Sequence, residues 1–259
     1  MTEPQPAYLE VPEGHRIAYR HTPGAAPGVL FCGGYTSDMT GTKATALEAH
    51  CRQTGRAFTR FDYMGHGQSG GRFEDGTIGL WAEDAVQVLD RVSDGPTVVI
   101  GSSMGGWVML LLALARPGRV GALLGIAAAP DFTEDLLLPR AEAAQLEQLD
   151  RQGYWIQPSA YGDDPYVVTR ALLEDGRRNL VLRAPIAIDC PVHLLHGQRD
   201  EAVPWQTSLT LAERLRSDEV TVELVKAGDH RLSRESDLER LLAVVDHLAG
   251  ATGRRGGDA

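Results

Sequence analysis

The segment spanning residues 97–116 constrains the fold more than any other part of the chain. A run of β-branched residues, Thr97-Val-Val-Ile, passes through the turn Gly101-Ser-Ser-Met-Gly into an apolar helical pattern. A strand that continues almost at once as a helix is the start of a β-α crossover, the connection that parallel strands require. The segment therefore predicts a mostly parallel sheet with helices packed against it.

The same alternation of strand and helix recurs along most of the chain. Runs rich in β-branched and aromatic residues predict eight strands, at residues 8–11, 16–21, 28–32, 57–63, 97–102, 121–127, 192–196 and 221–225. Apolar residues at helical spacing predict five helices, at residues 40–55, 79–93, 104–116, 205–216 and 235–248. The short turn Pro12-Glu-Gly predicts that the first two strands pair as an antiparallel hairpin at one edge, and the other strands are expected to be parallel.

Residues 131–189 break this rhythm. The segment has helix-like pieces with scattered apolar side chains such as Leu137, Trp155 and Tyr161, and prolines interrupt it. We predict a small helical cap inserted into an α/β core, which residues 1–130 and 190–250 form with helices on both faces of the sheet. The Gly-rich, polar residues 251–259 have too little apolar surface to order themselves, so a disordered tail is predicted.

Composition and charge argue against several classes of function. The 259 residues carry a formal net charge of -10, which argues against nucleic acid as a partner because such binding depends on Lys and Arg neutralising phosphates. The longest apolar run, residues 107–115, is about half of the ~20 residues that a membrane span needs, so no stable membrane insertion is expected. Three widely separated cysteines and an acidic N-terminus without a secretory pattern predict a cytoplasmic protein. Both a monomer and a small homo-oligomer fit the sequence.

The turn at residues 101–105 matches the G-x-S-x-G pattern of a nucleophile elbow. So sharp a turn from strand to helix needs small residues two positions before and two positions after its apex, and Gly101 and Gly105 occupy those positions. Ser103 is then the apex and the candidate nucleophile, and Ser102 fills the turn. The pattern also occurs in ordinary glycine-rich turns, but the flanking strand and helix are the context that the elbow requires.

A serine hydroxyl becomes a good nucleophile when a histidine accepts its proton and an acid orients that histidine. In the α/β-hydrolase fold these partners follow the serine in the order acid, then histidine. Asp200 comes just after the strand at 192–196, and His230 comes just after the strand at 221–225. We therefore predict that Ser103, Asp200 and His230 form a catalytic triad at the carboxyl ends of parallel strands.

Neighbouring residues offer alternatives to these assignments. Glu201 could replace Asp200 as the acid, although the pattern H-G-x-x-D-x-x-V-P places the aspartate at that position. Asp229 is predicted to shape the turn that presents the catalytic histidine. His193 and His196 lie on or at the end of their strand, and we interpret both as structural residues.

The oxyanion hole of this fold combines the backbone N–H after the nucleophile with one from the loop after the third strand. Met104 is predicted to supply the first and Tyr35 the second, with the Tyr35 ring lining the acyl pocket; the alternative is a surface aromatic. The segment Asp62-Tyr-Met-Gly-His-Gly-Gln-Ser is interpreted as a structural turn. No metal or cofactor is expected, because the histidines and cysteines lack metal-ligand spacing and the glycines form no dinucleotide-binding loop.

Several runs extend the likeness beyond the triad. They are Phe31-Cys-Gly-Gly-Tyr, Arg60-Phe-Asp-Tyr, Gly101-Ser-Ser-Met-Gly-Gly-Trp, Leu195-His-Gly-Gln-Arg-Asp-Glu-Ala-Val-Pro-Trp and Asp229-His-Arg. Together they resemble the mitochondrial acyl-protein thioesterase family of α/β-hydrolases, whose members are also described as acyl-glucuronide esterases. The resemblance implies depalmitoylating thioesterase or acyl-glucuronide esterase activity, with the catalytic roles on the predicted triad. Gly33 stands where that family tends to have proline, and no transit sequence is evident, which suggests a bacterial cytoplasmic relative.

The sequence thus predicts a serine hydrolase that cleaves esters or acyl thioesters of small molecules or acylated proteins through an acyl-Ser103 intermediate. A peptidase or a perhydrolase with the same triad is an alternative, and so is a catalytically silent binding protein on the same fold. Leu137 and Trp155 are predicted to bind the acyl chain beneath the cap. The alternative for these apolar side chains is that they pack on one another.

Overall fold

The structure is a computed structural model that describes residues 5–158 and 165–256. Its strands are Ala7–Glu10 (β1), Arg16–Thr22 (β2), Ala25–Cys32 (β3), Arg56–Phe61 (β4), Thr97–Ser102 (β5), Val120–Ile126 (β6), Tyr154–Gln157 (β7), Tyr166–Thr169 (β8), Val192–Gly197 (β9) and Val220–Val225 (β10). Its helices are Thr42–Gln53 (α1), Ile78–Val92 (α2), Met104–Ala115 (α3), Leu138–Arg140 (α4), Ala143–Gln152 (α5), Arg170–Arg178 (α6), Gln206–Arg214 (α7) and Glu235–Gly256 (α8). Every predicted strand and helix is present, and most of their ends lie within two residues of the predicted positions.

One eight-stranded sheet forms the centre of the molecule. Its strand order is β1-β2-β4-β3-β5-β6-β9-β10. The two contacts of β2, with β1 and with β4, are antiparallel, and the remaining pairs are parallel. The predicted antiparallel hairpin at one edge and the parallel arrangement of the other strands are therefore confirmed. All six residues of the central strand β5 are buried, as expected for a strand that is covered on both faces.

Helices cover both faces of this sheet, each through an apolar side. On one face, Trp81 of α2 and Trp107 of α3 are fully buried in the larger core cluster. On the other face, Leu47 of α1 packs in a second cluster with Leu241 and Val245 of α8. Burying one such side chain stabilises the fold by roughly 1.5–3 kcal/mol. Each of these helices is therefore held against the sheet mainly by its buried apolar side chains. Among the described residues, no helix combines the length and the apolar character that crossing a membrane requires.

The C-terminal helix is longer than the sequence suggested. α8 continues through Gly256, so the predicted disorder of residues 251–256 is wrong. The reason is a contact that the local composition does not reveal: Thr252 is buried, and a Cβ on Gly121 of β6 would overlap its side chain. The helix end thus packs against the start of β6. Residues 257–259 of the predicted tail lie outside the described residues.

The segment between β6 and β9, for which a helical cap was expected, is not purely helical. It contains a π-helical turn at Thr133–Leu137, the helices α4 to α6, and an antiparallel pair formed by β7 and β8. In β7 the side chain of Trp155 is buried while Tyr154 and Ile156 are exposed, which is the alternation of a half-buried strand. Four residues are too few to show that alternation clearly in the sequence. Tyr161, a predicted cap residue, lies outside the described residues.

Several hydrogen bonds close this cap on itself or fasten it to the core. Asp131, where the cap begins, accepts hydrogen bonds from the backbone N–H groups of Val181 and Leu182, at 2.8 and 2.9 Å, where the cap ends. The Tyr35 hydroxyl, on the loop after β3, donates to the carbonyl oxygen of Val167 in β8 at 3.0 Å. The Trp107 indole of α3 donates to the carbonyl of residue 179 at 3.0 Å. The cap is therefore seated over the carboxyl ends of β3 and β5.

Candidate active site

Ser103 occupies the apex of the turn between β5 and α3. Its backbone has φ 55° and ψ -120°, a conformation that residues other than glycine rarely adopt. A Cβ on Gly101 would overlap the carbonyl of Gly105, and a Cβ on Gly105 would overlap the carbonyls of Cys32 and Gly33. The two glycines therefore allow the helix to begin directly against the sheet. This is the elbow that the sequence predicted, with a strained backbone at the serine.

The predicted triad residues are brought together across the chain. Nε2 of His230 lies 3.1 Å from the Oγ of Ser103, and Nδ1 of His230 lies 2.7 Å from Oδ2 of Asp200. An ionised carboxylate only accepts hydrogen bonds, so Nδ1 carries the ring proton. The Nε2 lone pair then points at the serine hydroxyl. This tautomer leaves His230 able to remove the Ser103 proton.

Asp200 is held by donors on both of its oxygens. Its side chain has no exposed surface, and Oδ1 accepts from the backbone N–H groups of Ala202 and Val203 at 2.9 and 2.8 Å. Oδ2 accepts from His196 as well as from His230. Burial alone would raise the pKa of Asp200, but the hydrogen bonds from the two histidines outweigh it and hold that pKa well below its usual value. The acid is therefore ionised throughout the neutral range.

The loop that carries His230 is fixed by two further contacts. Asp229 accepts from the backbone N–H of Leu232 at 2.9 Å, so it shapes the turn around the histidine as predicted. The Lys43 ammonium of α1 donates to the carbonyl oxygen of Arg231 at 2.6 Å, and burial lowers the pKa of Lys43 to about 8. Glu201, the alternative acid, is exposed to solvent, whereas Asp200 is bonded to the histidine.

The two predicted oxyanion donors lie beside the elbow. Met104 is the first residue of α3, and a backbone N–H in the first turn of a helix has no partner within the helix. The loop after β3 packs against the nucleophile, since a Cβ on Gly34 would lie 3.6 Å from the Cβ of Ser103. Tyr35 follows directly. The arrangement can present a backbone N–H from each side of a tetrahedral intermediate.

The side chain of Tyr35 connects the oxyanion loop with the cap. Its ring lies 5.0 to 5.8 Å, centroid to centroid, from four other rings, those of Phe73, Trp81, Phe132 and Tyr166. Burial raises the pKa of the Tyr35 phenol well above its usual value, so the hydroxyl keeps its proton and donates it to the cap. Tyr35 is therefore half-buried in an aromatic cluster and is not a surface aromatic.

Asp62 and His66 have the structural roles that the sequence suggested. The Asp62 carboxylate accepts from the backbone N–H groups of Met39 and Gln68, at 2.6 and 2.8 Å, and so holds the loop that contains Tyr35. His66 is buried among aromatic rings and donates from Nδ1 to the carbonyl of residue 64. Burial lowers the pKa of His66 to about 4, which keeps the ring neutral. Neither side chain is bonded to Ser103.

The two predicted acyl-binding residues differ in their surroundings. Leu137, at the end of the π-helical turn, is half-buried and packs against the larger core cluster. Trp155 has no exposed surface, and its indole donates to the side chain of Gln157 at 3.1 Å. This burial favours packing within the cap for Trp155. Substrate contact by Leu137 stays a prediction.

His196 contacts the triad, a role that the sequence did not predict, since His196 was interpreted as a structural residue. It is fully buried at the end of β9, and its Nε2 lies 3.1 Å from Oδ2 of Asp200. The sequence signal for this contact is the spacing, since a histidine four residues before the acid lies across the turn that follows the strand.

Among residues 5–158 and 165–256, no group of three or more His, Cys, Asp or Glu side chains is arranged to hold a metal ion.

This fold and this geometry define an α/β-hydrolase with a serine at its elbow. The class is supported by comparison with known proteins. The sequence profile of a family described as serine aminopeptidase, S33, matches residues 26–237. The match includes all three triad residues and both predicted oxyanion residues.

Individual relatives place the chain more closely. It is 41% identical to the Mus musculus protein named palmitoyl-protein thioesterase ABHD10, mitochondrial, over 245 residues, which cover 93% of this chain and 82% of that protein. It is 26% identical to a monoacylglycerol lipase of Mycolicibacterium smegmatis over 72% of this chain and 77% of the lipase. A crystal structure of a hydrolase from Agrobacterium vitis S4 superposes with a TM-score of 0.91 at 40% identity, covering 95% of this chain and 100% of that one. The chain therefore belongs to the serine aminopeptidase S33 family of α/β-hydrolases, which confirms the predicted fold and the resemblance to acyl-protein thioesterases.

Proposed function

We propose that Ser103, His230 and Asp200 hydrolyse acyl esters and acyl thioesters through a covalent acyl-Ser103 intermediate. The observation that carries the proposal is the continuous hydrogen-bonded line from Ser103 Oγ through His230 to Asp200 at a strained elbow. The ester or thioester class of the bond follows from the relatives, which are named a thioesterase and a lipase.

The reaction has two halves that use the same groups. His230 Nε2 takes the Ser103 proton while Oγ attacks the acyl carbon, and the backbone N–H groups of Met104 and Tyr35 bind the oxyanion that forms. The intermediate collapses as His230 gives that proton to the departing alcohol or thiol. Water then loses a proton to His230 and attacks the acyl carbon, and His230 returns that proton to Ser103 Oγ as the carboxylic acid is released.

We propose that the acyl group of the substrate carries a long alkyl chain. The names of both relatives, a palmitoyl-protein thioesterase and a monoacylglycerol lipase, support it. The partly buried apolar side chains of the cap, such as Leu137, support it as candidates to contact that chain. An S-acylated protein cysteine, with the cysteine thiol as leaving group, is the first substrate to test, and an acyl glucuronide is the second, because the resemblance of the sequence implies both.

A fluorophosphonate probe followed by a substrate panel tests this function. The probe is expected to label the wild type at Ser103 and to leave Ser103→Ala unlabelled. The panel combines p-nitrophenyl esters and acyl thioesters of rising chain length with an acyl glucuronide. An unlabelled wild-type protein would show a catalytically silent binding protein on this fold, and the enzymatic proposal would be wrong.

Peptide hydrolysis is the second candidate, favoured by the description of the matching family as aminopeptidases. The same triad cleaves amides when a site binds the peptide, so aminoacyl p-nitroanilides belong in the panel. Turnover of these anilides in excess of the esters would reverse the order of the two proposals. Perhydrolysis is tested by adding hydrogen peroxide as the acceptor and measuring the peracid.

Location and assembly are also proposals. Cys32 and Cys51 are buried free thiols, which supports a reducing compartment, and we propose the cytoplasm. Fractionation of cells that express the full chain tests it. We further propose a monomer or a small homo-oligomer without a nucleic-acid partner, to be measured by light scattering and by a mobility-shift assay.

A further inference from the structure

A second buried histidine lies behind the acid of the triad. Nε2 of His196 lies 3.1 Å from Oδ2 of Asp200 and 3.1 Å from the carbonyl oxygen of Val203. Both of these partners can only accept a hydrogen bond, so Nε2 must carry a proton whatever the charge of the ring. His196 therefore donates to the carboxylate.

The other nitrogen of the same ring is also bonded. Nδ1 of His196 lies 2.7 Å from the hydroxyl of Ser208, on α7, and this serine is only 1% exposed. In the neutral ring Nδ1 accepts the Ser208 proton, and this bond keeps the donor at Nε2 aimed at Asp200. The line Ser103, His230, Asp200 thus extends on its far side through His196 to Ser208.

We propose that His196, oriented by Ser208, is a positioning residue for the reaction of the triad. The inference rests on the proposed function, in which Asp200 orients His230. Oδ2 of Asp200 has two side-chain donors, and the bond from His196 prevents the carboxylate from turning away from His230. The same bond withdraws negative charge from the oxygen that faces His230.

Two consequences can be measured separately. Without the His196 donor, the carboxylate plane is less fixed and kcat falls, while substrate contacts and KM are unchanged. The charge on Oδ2 also becomes less dispersed, so it stabilises protonated His230 more strongly. The acid limb of the pH profile of kcat/KM, which reports the base of the free enzyme, should then move to higher pH. Among the described residues, the titratable side chains bonded to this carboxylate are the two histidines.

An amide pair separates the donor from the ring. The Nε2 of glutamine lies three bonds beyond Cβ, like the Nε2 of histidine, so His196→Gln retains a donor to Asp200. The amide nitrogen of asparagine lies only two bonds beyond Cβ, like the Nδ1 of histidine, so His196→Asn leaves Asp200 without this donor. We expect His196→Asn to lower kcat about tenfold, to leave KM within about twofold, and to move the acid limb up by about half a pH unit. His196→Gln should restore most of both.

His193→Gln is the matched control, because His193 lies on the same strand and is bonded to Glu223 at 3.1 Å instead of to the triad. Its kinetics should match the wild type. Ser208→Ala is the second variant, in case His196→Asn does not fold, and should lower kcat about threefold in the same direction. A folded His196→Asn with a lower melting temperature but unchanged kcat and acid limb would overturn the proposal, and so would equal losses in the two amide variants. If Asp200→Asn itself were fully active, the assignment of the triad would be wrong. That result differs from the two outcomes that overturn only the positioning role of His196.

Discussion

The core and the cap of this molecule are held in place by different means. In the core, the elbow lies between two parallel strands that are buried on both faces, and each triad residue follows the end of a paired strand. In the cap, the elements are short, and the segment is fastened through Asp131, Tyr35 and Trp107. The reactive geometry in the core is thus supported by paired strands on both sides, whereas the cap is positioned by apolar packing against the larger core cluster and by single hydrogen bonds such as that of Gly79 with Asp175. Changes in the core should therefore affect chemistry, and changes in the cap should affect stability and selection of the acyl group.

The largest effect is expected at the nucleophile. Ser103→Ala removes the reacting oxygen but little packing, because the side chain sits at a half-exposed apex. We expect kcat to fall about 10⁵- to 10⁶-fold and the melting temperature to change by little. Steady-state kinetics and thermal denaturation measure both. A variant that kept a few per cent of the wild-type rate would assign the reaction to another residue, Ser102 first.

The next largest effect tests the choice of acid. Asp200→Asn favours the wrong His230 tautomer, so kcat should fall about 10²- to 10⁴-fold. Glu201→Gln removes an exposed side chain and should be mild, and so should Asp229→Asn, which affects only the turn. Rates of all three on one short ester provide the comparison. The acid assignment fails if Glu201→Gln proves to be the slowest.

The sequence predicts these core features well because they obey local rules. Gly101 and Gly105 flank a serine between a strand and a helix, and a parallel sheet brings the ends of distant strands to one edge. The fold, the strand order at the antiparallel edge and the three residues that meet at the site are all accessible in that way. For the donor from His196 the sequence offers only a spacing of four residues before the acid, because the bond itself depends on how the chain turns after β9.

The cap was harder to predict for a physical reason. Its strands have four residues each, so their alternation is too short to distinguish from an irregular helix. The burial of Trp155 depends on the pairing of β7 with β8, and no local sequence pattern predicts that pairing. The extension of α8 likewise depends on the contact of Thr252 with Gly121. Long-range packing decided each of these features.

A third prediction concerns the anchor of the cap. Asp131 has no exposed surface and a positive φ of 56°, and it satisfies two backbone N–H groups. Asp131→Ala leaves both groups buried without an acceptor and adds backbone strain, so it should lower the free energy of unfolding by about 3 kcal/mol. Asp131→Asn retains one acceptor and tolerates the positive φ, and should lose about half as much. Urea denaturation gives both values.

The same pair of variants tests whether cap and core are separable. The triad does not touch Asp131, so both variants should hydrolyse the shortest ester within about threefold of the wild type at temperatures where they are folded. A large loss of kcat with little loss of stability would mean that the cap supports the elbow directly. That outcome would remove the distinction between the two regions.

The smallest effect is expected from a single cap side chain. Each buried CH₂ of an acyl chain gains roughly 0.8 kcal/mol, or about fourfold in kcat/KM, until the pocket is full. If Leu137 lines that pocket, Leu137→Asn should leave the shortest ester within about twofold of the wild type and should slow the longest esters several-fold. Trp155 is unsuited to this test, because its complete burial means that a small polar replacement would damage the cap itself.

Leu146 provides the matched control for that substitution. It lies on α5 of the same cap and is 40% exposed, so Leu146→Asn makes the same chemical change on the outer surface. The ratio of kcat/KM for a long and a short ester is the quantity to compare, because it cancels any general loss of active protein. A lower ratio in Leu137→Asn alone places the acyl chain against Leu137. An unchanged ratio, or an equal loss at every chain length, would show that the cap supports the catalytic site without selecting the acyl group.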